Sequence, residues 1–212
     1  MDWNIAPMDK IVELANKYDA MVMVDECHSA WVVWATGRGV TEYFNIRWQV
    51  EIITWTLWKA FGGAIWGFTT WKKEIIELLR QRSRSYLFSN SIPPVVVVAG
   101  IKVFDMMAST AELQDKLHQN TEYFVEKMKW LGFDIKPTAS AICALMLYDA
   151  KLSQDFAREL LDEWIYVIGF YYPVVPKEQA RIRIQLSVAH EIHHLDKAIS
   201  AFEKIWKKLW VI

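Results

Sequence analysis

Glycine is scarce in this chain, with eight residues in 212, where about 7% of a typical sequence is glycine. An α/β protein ordinarily places glycine at tight turns and beside a cofactor, so the deficit is at odds with the element pattern described below. Cysteine is scarcer still: Cys27 and Cys143 are the only two, and neither belongs to a CxxC pair. That argues against a disulfide framework and for a reduced, cytoplasmic chain. Charge of one sign is also lacking. Twenty-four basic against twenty-five acidic residues leave a formal charge of −1, which gives no footing for a nucleic-acid partner. No apolar run approaches the roughly 18 residues of a membrane span; the stretch around Val95 to Val98 is far too short. The start, Met-Asp-Trp-Asn, lacks the basic and apolar regions of a secretory signal. What the chain has in excess is tryptophan, with twelve residues.

At this length the chain can bury a substantial core, as one large domain or two small ones. Residues 7–18 read as a helix, with Pro7 in its first turn and Ile11, Leu14, Ala15 and Tyr18 on one face. Residues 20–25, 50–54 and 64–69 are short, continuously apolar runs, the pattern of strands covered on both faces in a parallel sheet. A helix over 72–82 and a polar loop over 83–91 follow. Pro93-Pro94 then opens a segment of different composition. Helices are expected over 94–108 and 111–131, the second with Leu113, Leu117, Phe124, Met128 and Leu131 at helical spacing and Gly132 placed to end it. A strand over 141–147, a helix over 154–164, strands over 166–170 and 181–186, and an amphipathic helix over 191–209 complete the chain. The last helix carries Ile192, Leu195, Ile199 and Phe202 in one stripe. The fold class is α/β: a partial sheet domain over 1–92, followed by a small α+β domain over 93–212.

Three motifs compete for the chemistry. Val24-Asp25-Glu26-Cys27-His28-Ser29 has the form of a DExH box, whose paired carboxylates hold Mg²⁺ in helicases. That chemistry needs a phosphate-cradling GxxxxGK[ST] loop on an earlier turn, and none occurs before Asp25. The plain alternative is an aspartate capping the next turn. His190-Glu191-Ile192-His193-His194 satisfies HExxH, but His190 falls at a helix entrance rather than inside a helix. The only nearby downstream carboxylates, Asp196 and Glu203, make weak third ligands, so no metal is expected. Here the plain reading is a solvated first turn with Glu191 favourably near the helix N-terminus. The third motif is Ile53-Thr-Trp-Thr-Leu-Trp-Lys59-Ala-Phe-Gly-Gly63. Lys59 gains meaning from Asp25, which lies at an earlier strand end. Pyridoxal 5'-phosphate (PLP) requires such a pair: an amine to bond its aldehyde, and a carboxylate to keep its pyridine nitrogen protonated.

The order of further segments strengthens that reading. Tyr86-Leu-Phe-Ser-Asn-Ser91, Gly169-Phe-Tyr-Tyr-Pro-Val-Val-Pro-Lys177 and Ala180-Arg-Ile-Arg-Ile-Gln-Leu-Ser187 follow the Asp-x-x-His and Thr-x-x-Lys motifs. Together these resemble the α-oxoamine synthases, fold-type I PLP enzymes, and among them the glycine C-acetyltransferases. The resemblance runs from Met1 to Ile212. It implies a remnant of the large-domain sheet followed by the C-terminal small domain. Lys59 would bond the cofactor and act on substrate, Asp25 would pair with the pyridinium, and His28 would lie near the ring's phenolic oxygen. Thr56 would hold the phosphate, joined by Ser89 and Asn90 reaching in from a second subunit of a homodimer. Arg183 would grip the substrate carboxylate through its fork of donors. The implied reaction condenses glycine with acetyl-CoA to 2-amino-3-ketobutyrate, a step of threonine catabolism.

The chain departs from the family pattern in two ways. Family members are nearly twice as long, and the portion without a counterpart here is the N-terminal one, which carries the aromatic group stacked on the ring. Tryptophan also stands where the family pattern has glycine, at Trp3, Trp31, Trp34, Trp48, Trp55, Trp58, Trp66, Trp71, Trp164, Trp206 and Trp210. This looks like redesign rather than drift. Overpacking at buried positions typically costs about 1–3 kcal/mol a site. The alternative function is therefore a truncated or redesigned scaffold of enzyme ancestry, without turnover.

Overall fold

The computed structural model describes residues 5–33, 36–137 and 140–209. Trp3, Trp34 and Trp210, three of the tryptophans singled out above, lie outside the described residues. The chain divides into two compact units, with the division between Ala111 and Glu112.

The N-terminal unit contains α1 (Met8–Lys17), β1 (Met23–Asp25), α2 (Val40–Tyr43), a 3-10 turn (Arg47–Gln49), β2 (Ile52–Thr56), β3 (Gly67–Trp71), α3 (Lys73–Arg82), α4 (Arg84–Phe88) and α5 (Pro94–Ser109). The sheet order is β1-β2-β3. β1 pairs with β2 in parallel, as expected, but β3 runs antiparallel to β2, with Thr54 opposite Thr69. A third short apolar run therefore made an antiparallel edge, which periodicity alone could not distinguish from a parallel strand. β1 is not covered on both faces: Val24 is buried, whereas Met23 is exposed.

Helix α1 also presents a different face from the one its spacing suggested. Met8, Val12 and Ala15 are buried, while Ile11, Leu14 and Tyr18 are exposed. Apolar residues occupy two stripes of this helix, and packing against Val22, Val24, Val50 and Ile53 selects the first. Residues 83–91, expected as loop, contain α4, a single short turn of helix following Ser83.

Pro93-Pro94, where the composition changes, starts a helix, with Pro94 at its first turn. Val96 in α5 joins Ala30, Leu57 and Phe61 in one cluster, with Val103 and Met107 packed against it.

The C-terminal unit contains α6 (Glu112–Trp130), β4 (Ile142–Tyr148), α7 (Ala150–Asp162), β5 (Ile168–Phe170), β6 (Ala180–Gln185) and α8 (Ile192–Lys208). Its antiparallel sheet has the order β4-β6-β5, so β6 is central. β4 is buried along nearly its whole length. The amphipathic stripes of α6, α7 and α8 converge: Phe202 contacts Phe124, Phe133 and Phe156, and Phe124 and Met128 are buried as the spacing predicted. Leu195, Ile199 and Phe202 of the α8 stripe are buried too, whereas Ile192, in its first turn, is exposed. Asp149 caps α7, its carboxylate accepting from the Leu152 amide at 2.6 Å. Among the described residues no single helix is long and apolar enough to cross a membrane.

Candidate cofactor site

Parallel pairing sets the C-terminal ends of β1 and β2 side by side, with Asp25 in register with Thr54. The pairing continues one residue further, where the Glu26 amide donates to the Thr54 carbonyl at 2.9 Å. Open α/β sheets collect ligand-binding groups at such strand ends. Here Asp25, the last residue of β1, is exposed.

The Asp25 carboxylate accepts the Cys27 amide at 2.9 Å, an Asx-type turn that matches the turn-capping expectation. Burial works to raise its pKa. Hydrogen bonds from the Cys27 thiol and amide, the nearby Lys59 ammonium and the Thr54 hydroxyl outweigh that effect, so Asp25 titrates below its ordinary value. The same surroundings suppress the Cys27 thiol. Burial, its bond to Asp25 and the carboxylate's charge push it up to about 11, which makes it a poor nucleophile at neutral pH.

Lys59 lies in the turn after β2. That turn is closed by the Gly63 amide donating to the Leu57 carbonyl at 2.6 Å and the Gly62 amide to the Lys59 carbonyl at 3.0 Å. Lys59 is half-buried, and its ammonium rests over the Trp58 ring, 4.6 Å from the centroid. The two groups singled out from separate segments thus lie within each other's field. Thr56, the last residue of β2, is buried, and its hydroxyl donates to the Trp66 carbonyl at 3.3 Å. His28 is an exposed residue of the turn after β1. Ser89 and Asn90 are exposed directly after α4, and none of the interactions at Asp25 or Lys59 involves them. Arg183 belongs to the C-terminal unit, half-buried on β6 between Ala144 and Ile168.

Sequence reasoning missed the residue that shapes this loop. Glu26 is fully buried, and its carboxylate accepts the amides of Val40 and Thr41 at 2.9 Å each, together with the Ser29 hydroxyl. It thereby fixes the chain between Asp25 and α2. Gly39 completes the arrangement, since its φ is +79° and a Cβ there would fall on the Glu26 carboxylate. Pointing inward onto backbone donors, Glu26 is not available to pair with Asp25 around a metal. A buried Glu beside a surface Asp left no periodic signal, because the segment is a turn.

The HExxH segment has the geometry of a helix entrance. The His190 Nδ1 accepts the Ser187 amide at 3.2 Å, and the His194 Nδ1 accepts the Glu191 amide at 3.0 Å as half of a capping box. Glu191 pairs with Lys116 at 2.5 Å. Buried Asn120, another residue not anticipated, donates to the carbonyls of Ser187 and His190 and pins the same loop.

A carboxylate held ionised at one strand end and a lysine in its field after the next form a donor set that suits a pyridinium and its aldehyde. The chain belongs to the aminotransferase class I and II family, whose sequence pattern matches residues 1–202. Over all 212 residues it is 51% identical to the 2-amino-3-ketobutyrate coenzyme A ligase of Salmonella typhimurium, covering 100% of this chain and 53% of that protein. It is 43% identical over 212 residues to the 8-amino-7-oxononanoate synthase of Thermosipho melanesiensis, covering 100% of this chain and 54% of that one. In three dimensions it is similar to a serine palmitoyltransferase variant from S. paucimobilis solved with a PLP–myriocin aldimine bound. The TM-score is 0.91 at 28% identity, over 99% of this chain and 53% of that chain. The chain spans about half the length of the curated relatives it matches.

Proposed function

We propose that this chain carries the lysine-bearing part of a PLP-dependent acyltransferase that condenses glycine with acetyl-CoA to 2-amino-3-ketobutyrate and CoA. The observation that carries the reading is the Asp25–Lys59 pair at neighbouring parallel strand ends, with Asp25 held below its ordinary pKa. Bound PLP supplies an electron sink for the charge left when glycine loses its α-proton. The Asp25 carboxylate would keep the pyridine nitrogen protonated, and His28 would serve the phenolic oxygen. Lys59 would hold the cofactor at its aldehyde, and its Nζ would be the base that accepts the α-proton of glycine. Thr56 serves the phosphate, with Ser89 and Asn90 contributed by the second subunit of a homodimer. The family resemblance gives Arg183 the task of gripping the glycine carboxylate. The enzyme is cytoplasmic.

Two contacts favour a second reading, a scaffold of the same ancestry without turnover. The Thr56 hydroxyl is occupied by the Trp66 carbonyl, and the Trp58 indole lies against Lys59. One experiment separates the readings. Protein mixed with PLP is reduced with borohydride, and the labelled peptide is identified by mass. Label on the Lys59 peptide, absent in Lys59→Ala, supports the enzyme reading and warrants an assay with glycine and acetyl-CoA. Label distributed over surface lysines, unchanged in Lys59→Ala, leaves the scaffold reading.

A further inference from the structure

Among the described residues, eight other than glycine have positive φ: Asp19, Trp31, Asn45, Trp66, Trp71, Tyr148, Trp164 and Glu178. Aspartate and asparagine tolerate this region because their short polar side chains bond locally, whereas a bulky residue there is an outlier. Nine of the twelve tryptophans are described, and four of the nine fall in this set. No other residue type appears in it twice. Trp71, at φ 137°, is well beyond the left-handed helical well near +57°, in territory that glycine alone enters freely.

Two helix ends in the C-terminal unit provide an internal control. After α6, the Gly132 amide donates to the Lys129 carbonyl and the Phe133 amide to the Met128 carbonyl. After α7, the Trp164 amide donates to the Leu161 carbonyl and the Ile165 amide to the Leu160 carbonyl. These are the same Schellman motif, bond for bond, and its turning residue is characteristically glycine. Gly132 has φ 88° and Trp164 has φ 64°. The Trp164 indole does not repay the strain by packing, since it is 87% exposed. An independent sign comes from α8, where the Trp206 indole N–H is buried with no partner among the described residues, although buried indoles usually find one.

Strained residues can serve an active site, but these four are scattered. Trp66 follows the Lys59 turn, Trp71 ends an edge strand, Trp31 lies in the turn after β1, and Trp164 caps a helix in the other unit. Random drift would place many residue types at such positions, and design would avoid the one residue that fits them worst. A consistent exchange of one amino acid for one other is a property of decoding. We propose that glycine is the residue the protein's own cell places at positions 31, 66, 71 and 164. On this account the codon at each is UGA, a triplet that different genetic codes read as tryptophan or as glycine. The glycine deficit and the tryptophan surplus then have one cause. The inference does not depend on the catalytic reading above.

The test uses the gene and the full-length protein purified from its source. We expect UGA at the four positions and UGG at Trp130, a helical residue with no such conformation, and peptide masses corresponding to glycine at the four. UGG codons there, or tryptophan masses, would overturn the proposal. As a second measurement on the recombinant full-length protein, Trp164→Gly should raise the melting temperature by about 2–4 °C. Trp130→Gly, which places glycine in a helix, should lower it. A lower melting temperature for Trp164→Gly would also overturn the proposal. Should the tryptophan form fail to fold, the peptide masses decide alone.

Discussion

The two units bury their chains differently. In the C-terminal unit a single aromatic cluster ties three helices to a sheet whose strand β4 is buried almost end to end. In the N-terminal unit the described buried residues fall in two separate clusters, and one face of β1 is exposed. The residues with candidate cofactor chemistry, Asp25 and Lys59, lie in the second, looser kind of surroundings. Binding groups need an accessible strand end and loops that can be shaped around a ligand, while a core needs neither. The more open unit compensates locally, with buried Glu26 ordering the loop that follows Asp25.

The contrast can be broken most forcefully at Phe202. It is fully buried among Phe124, Phe133 and Phe156, so Phe202→Ala should cost about 3–5 kcal/mol, read by chemical denaturation. A loss under about 1 kcal/mol would mean that the cluster is not the keystone of its unit. Glu26→Ala comes next. It leaves the Val40 and Thr41 amides without their acceptor and should cost about 2–3 kcal/mol, with faster hydrogen exchange at those two amides. Unchanged exchange would show that something else orders the loop. Asp149→Ala removes only the α7 cap and should cost about 1 kcal/mol, confined to the C-terminal unit.

The smallest expected effect lies at Asp25. Its folded pKa is below the unfolded value near about 3.9. Its contribution to stability is therefore fully present above that value and is lost as pH falls through the lower folded pKa. Lys59→Met removes one of the lowering influences, so the Asp25 titration, followed by carboxyl NMR, should move upward. If it stays where it was, Lys59 does not lie in the field of Asp25, and the case for a shared site loses its main support.

Periodicity and end signals made much of this legible in advance. The stripe Leu117, Phe124 and Met128 and the stop at Gly132 were readable, because a helix with one strongly apolar face has one way to pack. The pairing of Asp25 with Lys59 was readable for a different reason: two uncommon chemical requirements coincided at two strand ends. Where a segment offered two solutions, the sequence was silent. Helix α1 has apolar residues in two stripes, and the sheet beside it chose which to bury. The direction of β3 and the membership of α5 were likewise settled by contacts distant in sequence.

By itself, then, the sequence determined the family, the order of the longer elements and the residues with candidate cofactor chemistry, since these depend on local pattern and residue type. The tertiary structure alone decided that Glu26 turns inward onto backbone donors and that Val96 of α5 packs with Leu57 and Phe61. It also decided that four tryptophans have positive φ, a region that glycine enters most freely. Burial, partner and φ are properties of the folded neighbourhood, and no single position in a sequence carries them.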